Sequence, residues 1–551
     1  MAALAFCMFG FLAWLAWQIN KFLVPKWTKP DTPRRIHYFV SDIAWRSSTI
    51  PMIFFDAAKE YKPHSCPKFA ATLIEAERLV RYLRSQEPFC LSLGGRSMYI
   101  LTSLRDVSGA FRDTSNLSFE MFYKELLSAF GCSKSSVEKI CSTKWKGHEN
   151  VDKQNNPKSL DLASLVMELF ASQFLPGPKL DAFANVVLAD INVSLDPRDS
   201  PTGSRCHIAN GSGKPFRLRR WVGNIINDSV MHALLGSNFM RMNPDIGDTF
   251  VDFNVDGWRL IFKYPRWAAP KLHAQRDLLI GALQRHFESP KSDRADQSWL
   301  ITRLEAEARL RGLENKDIAS MCCMVLWGVA SNAYKICFWL LAHLLFDQRL
   351  YDLVRDETGA CFSGGCQDPD LTRLISRCPR LDASWHECLR LGSASASVRH
   401  VNKTCVINGK RYEEGGQIMI PISQLHHGAD YFGRDPDSFD ADRFYNDPCL
   451  VKSPAYRPWG GGTTYCPGRY VAKLEIFYFI ALALNRFNLS LSDEDDRGYR
   501  VQQKRPAFDM KSPCMGVRNS IGDADVWVRL APESEGGRVK QVARKKVSVV
   551  G

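Results

Sequence analysis

The chain has 551 residues, of which 45% are hydrophobic and 24% charged, enough apolar material for a sizeable buried core. Its formal net charge is +13, but the basic residues are dispersed and no nucleic-acid motif accompanies them. Nucleic acid is therefore excluded as the expected partner, and anionic lipid or an acidic redox protein is the better use of the charge. The 17 cysteines are scattered and odd in number, without C-x-x-C or zinc-type spacing, which fits a reducing compartment.

Residues 1–17 carry no charge and are rich in Ala, Phe, Leu and Trp; Ile19 and residues 22–24 extend the stretch, and Lys21 can snorkel. Residues 1–24 are predicted to be a transmembrane anchor. Lys26, Lys29, Arg34 and Arg35 follow it and keep the downstream side cytosolic. A cleaved signal peptide is the rival reading, but neither a basic n-region nor a small-residue cleavage site is present. Pro25, Pro30 and Pro33 stiffen a hinge over 25–40. No linker divides residues 41–533, which are read as one catalytic domain. Residues 534–551 form a basic tail expected to be disordered.

Within the body, residues 89–93 and 98–102 flank Gly94-Gly95 and predict a hairpin. Residues 194–215 are Pro-, Gly- and Ser-rich and read as a surface loop. Residues 258–267 mix aromatics with cations. Two readings stand for them, a segment dipping into the membrane interface or an ordinary aromatic core segment. Residues 318–346 are apolar over a helical length and contain Ser331, Asn332 and Ala333. Asn332 either organises a water or a substrate oxygen, or is a helix amide bonded to a neighbouring turn.

Glu387 and Arg390 stand at i and i+3 on one helix face, in an apolar run that suggests a buried pair needing further partners. Arg443 can close a Glu–Arg–Arg network. Arg399 is either the partner of an anionic group or a surface strand arginine. The most informative stretch is Trp459-Gly-Gly-Gly462-Thr-Thr-Tyr-Cys466-Pro-Gly468, followed by an apolar helical run over 469–487. The glycines let the backbone approach something flat and bulky. The helix N-terminus favours thiolate over thiol at Cys466, and Trp459 can cover the sulfur. Such a thiolate suits an axial ligand to iron.

These elements in this order resemble the cytochrome P450 family, over roughly residues 88–530. Within it, Thr464 in place of the family's usual arginine and the run 390–399 resemble the branch of cholesterol 7-alpha-hydroxylases and prostacyclin synthase. The resemblance implies a mixed, mainly α fold with small β-sheets behind the anchor. It implies haem b ligated by Cys466, with Trp459, Gly462 and Gly468 around it and Arg399 on a haem propionate. Glu387, Arg390 and Arg443 become a structural triad. Asn332 stands where most members carry an acid, and Ala333 where they carry threonine, so Asn332 is the candidate catalytic side chain. The implied protein is a single-pass membrane monooxygenase of the endoplasmic reticulum, taking electrons from NADPH through NADPH-cytochrome P450 reductase. Its implied substrate is apolar: a terpenoid, sterol or related specialised metabolite. Two alternatives stand beside it, a reductase-independent isomerase of the prostacyclin synthase type and a non-catalytic haem-fold binding protein.

Overall fold

The computed structural model describes residues 34–36, 87–93, 96–143, 156, 158, 160–196, 215–363, 367–510, 512–521 and 526–532. The expected anchor over 1–24, most of the hinge, nearly all of the loop over 194–215 and the tail over 534–551 lie outside the described residues.

The described chain is mainly helical, with three small sheets. Six strands form a mixed sheet in the spatial order Arg34–Ile36, Phe89–Leu93, Arg96–Ile100, Gln417–Pro421, Ala396–Val401 and Leu117–Ser118. Leu93 lies opposite Arg96, so the expected hairpin forms with its second strand two residues earlier than the sequence suggested. Arg34–Ile36 runs parallel to Phe89–Leu91, so the sheet extends into the stretch read as hinge. A three-stranded sheet joins Phe487–Leu491, Trp527–Pro532 and Phe216–Arg217, and a two-stranded one pairs Cys405–Ile407 with Lys410–Tyr412.

Local signals set the helix ends. Pro379 occupies the first turn of the Pro379–Gly392 helix, where its missing N–H costs nothing. Asp382 in that first turn and Arg390 in the last both complement the helix dipole. The Arg469–Arg486 helix is buried almost all round: Phe477, Phe479, Ile480, Ala481 and Leu482 are each 0% exposed. Hydrophobic burial on this scale contributes roughly 1.5–3 kcal/mol per large side chain. This helix packs on Pro178–Ser194 and on Ala333–Leu345, which in turn packs on Pro379–Gly392 and Leu218–Leu235.

The apolar run over 318–346 is not one regular helix. Asn315–Ala330 and Ala333–Leu345 are separate helices, broken at Ser331 and Asn332. Together they make the one span among the described residues long and apolar enough to cross a membrane, but most of it is buried in the protein core. The stretch 258–267 divides: Trp258, Leu260 and Tyr264 are buried, with Trp258 and Tyr264 packed edge to face at 5.6 Å, whereas Trp267 is exposed.

Candidate active site

The Glu387 and Arg390 side chains are both fully buried. Arg390 donates from Nε to Glu387 Oε2 at 2.8 Å and from Nη2 to Oε1 at 2.7 Å, a two-pronged pair. Arg443 Nε reaches Glu387 Oε1 at 3.2 Å, and the Asp440 amide donates to the same oxygen at 3.1 Å. The remaining Arg390 donors go to the backbone carbonyls of His426, Pro436 and Ser438. Arg443 also donates to the carbonyls of Phe432 and Asp435. The sequence thus brings Glu387, Arg390 and Arg443 into one network whose buried charges are met by carbonyls of the 426–438 segment.

His426 ties this network to the cysteine loop. Burial holds its pKa down to about 3, so the ring is neutral. Its Nδ1–H donates to the Arg390 carbonyl at 2.9 Å, and its Nε2 accepts from the Arg457 amide at 2.9 Å. Nothing in the sequence singled out His426, because a bridge between two backbone groups leaves no spacing motif.

The loop itself is shaped by its glycines. Gly460 and Gly462 have φ of +77° and +63°, where a side chain would be strained. Gly461 is close-packed: an added Cβ would lie 2.8 Å from the ring of Phe111. The Cys466 amide donates to the Trp459 carbonyl at 3.0 Å, folding the loop back on itself, and the Trp459 ring lies 6.0 Å from that of Trp385. Gly468 precedes the Arg469–Arg486 helix, and an added Cβ there would sit 3.7 Å from the Cys466 sulfur. Burial raises the Cys466 thiol pKa overall; the amides of Gly468 and Arg469 and the Arg469 guanidinium oppose this without reversing it, so the helix N-terminus alone does not bring the expected preference for thiolate.

Arg399 is 5% exposed, which removes the surface-arginine reading. It donates to Thr464 Oγ1 at 2.7 Å, Val398 O at 2.8 Å and Ser397 Oγ at 3.0 Å. Burial lowers its pKa.

Asn332 begins the Ala333–Leu345 helix. Its Oδ1 accepts from the Val517 amide at 2.9 Å, and its Nδ2 donates to Ser331 Oγ at 3.0 Å. The contact is so close that a Cβ on Gly516 would fall 2.1 Å from Asn332 Oδ1. The 516–518 segment is fixed in turn to the end of the Pro379–Gly392 helix, through Ala394 N to Gly516 O at 2.8 Å and Arg518 N to Gly392 O at 2.9 Å. Asn332 therefore bonds to a neighbouring turn, from a helix break and not from a helix interior, and it also lines a cavity with Ser331 and Trp327.

Residues 208–511 match the family described as Cytochrome P450. The chain belongs to the cytochrome P450 family. Its enzyme class is that of the haem-thiolate monooxygenases. The chain is 24% identical over 451 residues to the cytochrome P450 monooxygenase poxD of Penicillium oxalicum, covering 79% of this chain and 86% of that protein. It is 23% identical over 457 residues to the P450 monooxygenase calL of Penicillium decumbens, covering 75% and 81%. It is also 28% identical over 282 residues to the 5-beta-cholestane-3-alpha,7-alpha-diol 12-alpha-hydroxylase of Sus scrofa, covering 46% and 56%. The P450 family implies haem held by a cysteine thiolate. The residues present fit that group: a lone soft sulfur donor with two amides directed at it, a left-handed glycine loop, and a buried guanidinium beside the loop.

Proposed function

We propose that this P450 is a membrane-bound monooxygenase that oxidises an apolar molecule of the terpenoid or sterol class. The supporting observation is the fixing of the cysteine loop to the buried Glu387–Arg390–Arg443 network through His426. In this reading Cys466 would hold the haem iron through its thiolate, and Trp459, Gly462 and Gly468 would shape the loop around it. Arg399 neutralises a haem carboxylate. When bound, haem supplies the iron at which dioxygen is activated, with electrons from NADPH through a reductase. Glu387, Arg390 and Arg443 hold the loop in register. Asn332 positions the 516–518 turn over the pocket and organises the oxygen side. Residues 1–24 tether a cytosolic body, residues 41–533, to the endoplasmic reticulum. The substrate class draws on the fungal monooxygenases and sterol hydroxylases that the chain resembles.

The test is to supply membranes containing the protein and a reductase with a panel of terpenoids and sterols, and to follow NADPH use and oxygenated product together. The reduced, carbon-monoxide-bound protein should give the absorption band of thiolate ligation, and Cys466→Ala should abolish it. A histidine-type spectrum in the unmutated protein would overturn the assignment.

One observation favours a second reading. Ala333 has no hydroxyl, and the amide of Asn332 is engaged by Val517, so no acid–alcohol pair stands at the helix break. An isomerase that needs no reductant would tolerate this. Product formation from a peroxide-bearing substrate without NADPH would favour that reading over the first.

A further inference from the structure

Lys335 is a buried cation that the mechanism above leaves unused. It lies on the Ala333–Leu345 helix, close beyond Asn332, and is 7% exposed. Its Nζ has three protons to donate, and among the described residues its one hydrogen bond goes to the Val517 carbonyl at 3.4 Å, near the limit for such a bond. Among the described residues, no carboxylate pairs with it. Nζ lies 5.9 Å from the centre of the Tyr334 ring. The charged and titratable groups around it are Arg219, which opposes its charge, the Cys514 thiol, and Asp509 and Arg518 on the walls of the same cavity.

That cavity lies between the helix break and the 512–519 segment, with Trp327, Ser331, Asn332, Lys335 and Cys514 on its walls. Its volume is about 30 Å³, the scale of a small headgroup such as a carboxylate rather than of a whole substrate. A buried ammonium short of acceptors is costly, and the cost is recovered when a ligand supplies an anion.

We propose that Lys335 is a specificity-determining residue whose ammonium holds a carboxylate of the substrate, so that the enzyme selects apolar acids over their neutral counterparts. The inference rests on the monooxygenase reading of the same pocket and narrows its substrate class. Asn332 and Ser331 contribute polar walls beside the carboxylate, and the apolar body of the substrate extends away from the charged end. Burial draws the Lys335 pKa down to about 8. The ammonium and a carboxylate therefore coexist from about pH 5 to about pH 8, and the pairing weakens as the lysine deprotonates above that range.

The experiment compares equilibrium binding of two acids with their methyl esters, by calorimetry on the haem-loaded full chain. The pairs are abietic acid with methyl abietate, and dodecanoic acid with methyl dodecanoate. At pH 7 at least one acid should bind about tenfold or more tighter than its ester, as a charge-assisted contact allows. Lys335→Met should bring the ratio close to one, and Lys335→Arg should keep most of it. In the unmutated protein, affinity for the acid should fall by about tenfold per pH unit above pH 8 while affinity for the ester stays level. Equal binding of acid and ester by the unmutated protein in both pairs, or an acid preference that survives in folded Lys335→Met, overturns the proposal. The pH arm needs no variant, and an acid preference unchanged at pH 9.5 overturns it as well. The carbon-monoxide spectrum tests Cys466 ligation alone and the acid-to-ester ratio tests Lys335 alone, so the two readings fail separately.

Discussion

The guanidinium of Arg399 donates to the hydroxyl of Thr464 at 2.7 Å, joining the Ala396–Val401 strand to the loop two residues before Cys466. Thr464 stands where the family usually has arginine. Here the cation comes from the strand, and the loop supplies an acceptor. Thr464→Val keeps the shape and removes the acceptor. It should cost ~1–3 kcal/mol, because a hydrogen bond to a buried charge is lost. Arg399→Met should speed haem dissociation further. Denaturation midpoints and the rate of haem transfer to an apo-globin would measure both. If haem transfer is as slow in Arg399→Met as in the unmutated protein, Arg399 does not serve the cofactor.

Glu387 accepts from two arginines and from the Asp440 amide. Glu387→Ala leaves two nearly buried guanidinium groups without their counter-charge, a loss of ~3–5 kcal/mol for a broken buried pair. The variant should accumulate without haem or fail to accumulate. Normal haem content with an unchanged thermal midpoint would contradict the structural role.

Acid should destabilise the fold through its buried imidazoles. Burial holds His343 and His426 at about pKa 3 and His386 at about 4, against 6.5 when exposed. Their folded pKa values are depressed, so the unfolded chain binds more protons between pH 6.5 and about 3. Stability is therefore present above pH 6.5 and lost as pH falls through that window, by about 2 kcal/mol per histidine at pH 5. Glu475 acts in the opposite sense, because burial raises its carboxyl to about 8 and favours the folded state at low pH. His343 separates the terms. Among the described residues neither of its ring nitrogens has a partner, and it stacks on Phe439 at 3.8 Å. His343→Phe keeps the stack and removes the titration. Its urea midpoint should match or exceed the unmutated value at pH 7 and fall less between pH 7 and pH 5. An unchanged acid slope would show that His343 is not a buried neutral ring.

Asn332→Ala should leave haem content and the carbon-monoxide spectrum intact while freeing the Val517 amide and loosening the 516–518 turn. Product per NADPH should fall several-fold, with peroxide rising in its place. Gly516→Ala forces the same separation from the other side, since its Cβ would collide with Asn332. The double variant should therefore be less impaired than the sum of the two singles. Strict additivity would show that the two residues act on separate steps.

The cysteine with its glycine loop and the Glu–Arg pair are readable in the sequence, because each depends on short spacing along the chain, whereas the mainly helical class came only with the family resemblance. Arg443 joined them only through the order of motifs. What stayed hidden is tertiary. His426 bridges two backbone groups on segments remote in sequence, and Phe111 makes Gly461 obligatory from a helix some 350 residues away. The break at Ser331 and Asn332 has no proline or glycine at the break itself. It is sustained by hydrogen bonds to Val517 and by Asn254 Nδ2 donating to the Ser331 carbonyl at 2.7 Å. An apolar periodicity over 318–346 therefore read as one continuous helix.

The parallel pairing of Arg34–Ile36 with Phe89–Leu91 shortens the leash between the expected anchor and the catalytic body. Residues 25–33 lie between the expected anchor and this strand, and nine residues can span at most roughly 30 Å. A body held by so short a lead would have a restricted range of tilt above the lipid surface. Orientation would then be set close to the sheet edge, and lengthening residues 25–33 with a flexible insert should relax it without altering the pocket.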